Sequence, residues 1–203
     1  MARPKDEEKR LAILGAAAMV IAGQGLGAST AAIAKSAGVA DGTLFVYFPT
    51  KTELFNQLYL FIKSELISDM MAALESAGDL REKFRLIWSV WTNWGISQPA
   101  RARALEQLAA SADVTAASRK AAMDSANEIL AIIAEISSSG PLAGAPASFI
   151  GSIVEAMVAA TITAMTQEPE QAKIRQSQAF EALWAGLSGP VPNLSGNGAR
   201  RAR

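Results

Sequence analysis

Apolar residues recur along most of this chain at intervals of three and four, the spacing of one face of an α-helix. Leu11, Leu14, Ala18 and Ile21 build the first such face behind the charged start Lys5 to Arg10, and Gly23, Gly25 and Gly27 end it. Ser29 or Thr30 offers a hydroxyl to cap a second, short helix that reaches Ala37. Gly38 supplies a tight turn, Val39 can fill the angle between two helices, and a third short helix over Thr43 to Phe48 stops at Pro49. Leu54, Leu58, Phe61, Ile62 and Leu66 then carry a long helix toward Leu74 without a breaker. Further helices are predicted over Leu80 to Ser97, Ala100 to Ser111, Val114 to Ile136, Ala147 to Thr166 and Pro169 to Leu187. Pro99 and the Ser137 to Pro146 loop punctuate them, giving an all-α chain of about nine helices.

Composition narrows what such a chain can do. Half of the 203 residues are apolar and 19% are charged, a globule's balance rather than a disordered tail's. No stretch approaches the roughly 18 consecutive strongly apolar residues of a membrane span, and MARPKDEEKR lacks the apolar centre of a signal peptide. A cytoplasmic protein with no membrane partner is expected. Cysteine and histidine are both absent, which excludes disulfides, thiolate zinc sites and histidine-dependent catalysis. No convergent carboxylate pair stands out, so neither an enzyme nor a cofactor is expected. The net charge is zero, and residues 1–51 hold a basic excess of only two, so any nucleic-acid contact must come from a local patch.

Three short helices, with a glycine turn between the second and third, have the dimensions of a helix-turn-helix unit. The 27 residues STAAIAKSAGVADGTLFVYFPTKTELF resemble the signature segment of the TetR family. They carry its I-A-x-x-A-G-V core, its G-T-L-aromatic recognition helix and its Y-F-x-x-K exit. The resemblance implies a DNA-binding domain over residues 1–51, an effector-binding and dimerisation domain over 52–187 and a flexible tail over 188–203. Beyond the signature segment the chain matches the family in helical layout only.

By that resemblance Thr30, Tyr47 and Lys51 correspond to phosphate-contacting positions, where a helix N-terminus, a phenol and a lysine suit an anion. The plainer alternatives are that Tyr47 packs and Lys51 is solvated. Lys35 belongs to the same DNA-binding set. By the same resemblance base reading falls to the exposed face of the third helix and the start of the second, with Gly42, Thr43, Phe45 and Val46 nearest. Thr43 can donate, accept or touch a thymine methyl, whereas Phe45 and Val46 offer only apolar contacts. Leu44 and Phe48 point into the core. Ala31 stands where several family members carry a basic or polar base reader, and Asp41 where a basic or neutral residue is common. Asp41 can accept from a cytosine amino group or cap its helix. The basic residues Arg3, Lys5 and Arg10 can approach the backbone or be disordered, and Arg200, Arg201 and Arg203 lie past a Pro/Gly/Ser-rich stretch, outside the reader.

In the body, Phe84, Trp88 and Trp91 fall on one helix face that Trp94 extends. They read either as the wall of an aromatic pocket or as a core stripe. Met70, Met71 and Met123 can line an adaptable cavity, and Asn93, Gln107 and Asn127 can orient a ligand, although such residues serve equally as core or surface. Glu128 and Glu155 are weaker candidates for pairing with a cation. The 147–166 helix is apolar nearly all round, and Gly151, Ala156, Ala159 and Ala160 let another helix approach closely. The resemblance implies that the last two helices form a homodimer's four-helix interface, with Phe149, Ile153, Met157, Phe180, Leu183 and Trp184 in it. A two-fold dimer matches a palindromic operator in double-stranded DNA. The expectation is a repressor that releases its operator when a small apolar or aromatic effector binds. The alternative is a helical small-molecule-binding protein whose DNA recognition is weakened or lost, favoured by Ala31, Asp41 and the small basic excess.

Overall fold

A computed structural model of the chain describes residues 4–75 and 77–190. Among these the all-α expectation holds. The helices are α1 (Pro4–Gln24), α2 (Thr30–Ser36), α3 (Asp41–Tyr47), α4 (Lys51–Leu74), α5 (Leu80–Ser97), α6 (Pro99–Ala110), α7 (Ala116–Ser125), α8 (Asn127–Ser137), α9 (Ala147–Gln167) and α10 (Ala172–Ser188). A 3-10 turn over Pro169–Gln171 leads into α10. The helix expected over Val114 to Ile136 is two, because at Ala126 the backbone N–H bonds back to Met123 O at 3.0 Å and tightens out of α geometry. Arg3 and the arginines at 200, 201 and 203 lie outside the described residues.

The contacts sort the chain into two compact units. The first runs up to Ala72 and resumes over Asn93–Asn127, and the second takes Ala73–Thr92 and the chain from Glu128 onward. In the first unit α1 packs on α6 and α2, and α2 on α3. Ile13, Leu14, Ala17 and Ile21 of α1 are buried, as are Ile33 of α2, Leu44 of α3 and Leu54, Leu58 and Ile62 of α4. Burying each such side chain contributes about 1.5–3 kcal/mol, so this small core holds α2 and α3 in place.

In the second unit α9 packs on α10. Ile150, Val154, Val158, Thr161 and Met165 form the buried face of α9, at successive steps of four, four, three and four residues. By length and composition α9 is also apolar enough to cross a membrane, contrary to the expectation that no stretch approaches such a span. Ser148, Ser152, Glu155 and Thr161 interrupt its apolar run. The loop before it depends on Gly140, where an added Cβ would lie 1.8 Å from the Leu187 carbonyl oxygen.

Candidate functional site

The α2–turn–α3 unit is built by local chemistry. Ser29, in extended backbone, caps α2 by accepting from the Ala32 N–H at 3.1 Å. At the other end the Gly38 N–H bonds to Lys35 O at 3.2 Å and the Val39 N–H to Ala34 O at 3.0 Å, with Gly38 at φ +67°. That pairing is a Schellman motif, and its left-handed residue is one that a Cβ disfavours. Gly38→Ala is therefore expected to cost about 1–2 kcal/mol, read as a lowered thermal midpoint; an unchanged midpoint would show that the turn tolerates a side chain.

The turn sets α3 with Leu44 buried, followed by buried Phe48, with Asp41, Phe45 and Val46 exposed and Thr43 and Tyr47 half-buried between them. Asp41 is the first residue of α3, and the N-cap is Ala40, which makes no side-chain cap bond. The capping role open to Asp41 is thus not taken, and its carboxylate is exposed. Ala31, Lys35 and Gly42 are exposed, whereas Thr30 and Thr43 are half-buried. Phe45 is 45% exposed and Val46 79%. Tyr47 and Lys51 are half-buried, the latter with its ammonium 5.3 Å from the centre of the Phe55 ring.

Beside α3 lies a hollow of about 420 Å³ lined by Arg10, Tyr47, Phe48, Pro49, Thr50, Glu53 and Gln57. The Tyr47 hydroxyl donates to Asp6 Oδ1 at 3.4 Å. Desolvation first, and then the charge and hydrogen bond of Asp6, hold the phenol above its ordinary pKa. Arg10 donates to Glu7 Oε1 at 3.0 Å and to Gln57 Oε1 at 3.1 Å, and is therefore already engaged within its own chain. Sequence reasoning missed Asp6, Gln57 and Thr50. Thr50 accepts from the Glu53 N–H at 3.0 Å, and the spacing Thr50-x-x-Glu53 is a helix-start signal that was available in the sequence.

The residues proposed for a ligand are shared between the two compact units. Phe84, Trp88 and Trp91 fall in the second unit; Met70, Trp94, Gln107, Met123 and Asn127 fall in the first. Phe84 lies 5.9 Å from Phe180 and 6.2 Å from Trp184, centre to centre, and the Trp88 indole N–H donates to Gln176 O at 3.0 Å. Met70 is buried, and Met123 and Asn127 are exposed. Gln107 donates to Ile21 O at 3.4 Å, satisfying the end of α1. Trp94 lines an open cleft of about 550 Å³, with Ser64, Glu65, Ser68, Asp69, Ser97, Gln98 and Arg101. There Glu65 Oε2 is 2.9 Å from Arg101 Nη1 but off its N–H direction, so the pair is ionic without a directed hydrogen bond. Burial raises the Glu65 pKa, Arg101 opposes the shift and Asp69 adds to it.

The proposed dimerisation residues also divide. Phe149 is 53% exposed and Ile153 and Met157 are half-buried on the outer side of α9, alongside exposed Ala156, Ala159 and Ala160. Phe180 and Leu183 are buried within the second unit, and Trp184 stacks on Phe180 at 6.3 Å.

The family profile described as bacterial regulatory proteins, tetR family, matches residues 13–58. A crystal structure from Shewanella sp. PV-4, described as a tetR family transcription regulator, is 31% identical and superposes with a TM-score of 0.77 over 87% of this chain and 96% of that one. FadR from Bacillus subtilis, solved in complex with stearoyl-CoA, is similar in fold at 21% identity and a TM-score of 0.67, over 89% of this chain and 98% of that one. The nucleoid occlusion factor SlmA of Escherichia coli is 34% identical over 77 residues, a stretch that spans 38% of this chain and 39% of SlmA.

Proposed function

The chain belongs to the TetR family of bacterial regulatory proteins, and from that premise we propose that it is a cytoplasmic repressor which grips a palindromic operator as a homodimer and lets go when a small effector binds. The observation that carries the DNA-binding half of this reading is the outward face of α3, held by buried Leu44 and Phe48 behind the Gly38 turn. A helix fixed on its inner side and uncovered on its outer side has the form of a major-groove reader. Thr30, Tyr47, Lys35 and Lys51 serve the phosphates, and Asp6 must release Tyr47 as a phosphate arrives.

Dimerisation is assigned to the outer side of α9, where Phe149, Ile153 and Met157 stand among alanines small enough for close helix approach. A palindromic operator requires the two readers of such a dimer to stand about 34 Å apart or somewhat more, one turn of DNA. The body beyond Lys51 is assigned to the effector, and the cleft at Trp94 has the size of a small-molecule site. FadR's complex with stearoyl-CoA supports effector binding through fold likeness alone. Release requires the effector to bind the non-operator conformation more tightly, and a difference of about 1–3 kcal/mol changes operator affinity roughly 5–150-fold.

Fluorescence anisotropy on duplex DNA at a series of salt concentrations tests the reading. Affinity should fall with salt on a log–log slope of about −0.9 for each phosphate neutralised. Absence of binding at low salt, or affinity indifferent to salt, would leave a helical ligand-binding protein without DNA recognition.

A further inference from the structure

The exposed face of α3 is chemically unusual for a base reader. Its sequence DGTLFVY contains no Arg, Lys, Asn or Gln, the side chains that bond two-fold to purine edges. Its polar groups are the Asp41 carboxylate, which can only accept, and the half-buried hydroxyls of Thr43 and of Tyr47, the latter already donating to Asp6. What α3 presents most fully is apolar: Val46 at 79% exposure and Phe45 at 45%. On α2 the neighbouring exposed positions are Ala31 and Ser36, with Lys35 as the long donor. Two adjacent large apolar side chains left in water on a seven-residue helix call for an apolar counterpart. In the major groove the apolar feature of a base pair is the C5 methyl group of a pyrimidine.

We propose that base reading by this protein depends on a pyrimidine C5 methyl group, that of thymine or of 5-methylcytosine, seated against Phe45 and Val46. The inference rests on α2–α3 being a DNA reader and specifies what that reader recognises. Asp41 lies four residues before Phe45 and so shares its side of the helix one turn away. An acceptor beside an apolar surface suits a pyrimidine whose methyl neighbours an amino donor, which is the edge of 5-methylcytosine. Thymine offers the methyl with an acceptor in place of the amino group, so the two sources make different demands on Asp41.

The test starts from duplex DNA selected out of a random pool by the full chain. Each thymine in the selected site is then replaced singly by deoxyuridine, which removes the methyl and leaves pairing intact. At one position or more in each half-site affinity should drop roughly fourfold, the equivalent of one buried methyl group. Phe45→Ala or Val46→Ala should abolish that distinction, binding the thymine and uracil sites equally; both side chains are exposed, so neither truncation threatens the core. At the same position cytosine should bind weakly. If 5-methylcytosine restores affinity in wild type but not in Asp41→Ala, methylated cytosine is a source; if thymine alone is accepted, thymine is. Uracil equal to thymine at every position would overturn the proposal, as would selection of no preferred sequence despite salt-dependent binding. Failure to bind any DNA would overturn the DNA-binding reading itself.

Discussion

Trp88→Ala is expected to lower the stability of the chain by about 3–5 kcal/mol, the range for truncating a large aromatic side chain in a packed core. Trp88 is 2% exposed and among the largest fully buried side chains. Removing the indole leaves a cavity and takes away the hydrogen bond that the ring nitrogen donates at 3.0 Å to the Gln176 carbonyl of α10. Trp88→Phe fills most of the space and forgoes only that hydrogen bond, so its cost should fall to about 1–2 kcal/mol. Urea denaturation followed by backbone circular dichroism, at one protein concentration because a dimer's stability depends on it, separates the two variants. A loss below about 1 kcal/mol in Trp88→Ala would mean that the site collapses or stands open. In that case the Phe84–Trp88–Trp91 stripe would revert to a pocket wall.

That stripe shows where sequence reading stopped. Its helical spacing was legible, but whether it met a ligand or another helix was not. The partners, Gln176, Phe180 and Trp184, lie about ninety residues further on, and nothing local announces the pairing. For the same reason Phe180 and Leu183 were read as interface residues although they are buried within the second unit. The reader was legible because its determinants are local. Ser29, Gly38 and Pro49 act on their immediate neighbours through a cap, a positive φ and a lost donor. Asp41 was harder, since a carboxylate at a helix start fits both a cap and a solvent-facing first residue, and a single residue of register decides. The split at Ala126 left no glycine or proline to mark it.

The second large effect is expected at Asn56, in the second turn of α4, a helix that begins directly after the reader. Its amide is buried at 6% exposure and meets four groups. Nδ2 donates to Thr52 O and to Asp113 O, both at 2.8 Å, while Oδ1 accepts from the Thr115 N–H at 2.9 Å and the Thr115 hydroxyl at 3.1 Å. Thr115 is itself the N-cap of α7, accepting from the Ser118 N–H at 3.1 Å. One side chain thus ties α4 to the segment that starts α7, across a sequence separation of 57 to 59 residues. Asn56→Ala removes all four hydrogen bonds, and each contributes about 0.5–1.5 kcal/mol. A total loss of about 2–4 kcal/mol is expected in denaturant unfolding, together with faster hydrogen exchange at the Thr115 amide. Asn56→Asp keeps the shape and the acceptor of the Thr115 N–H but turns the donor into a second acceptor facing two carbonyls, so it should not rescue stability. If Asn56→Asp unfolds like wild type, the hydrogen bonds to Thr52 and Asp113 do not hold α4. If Asn56→Ala does, water replaces the amide without loss and the tie lies elsewhere.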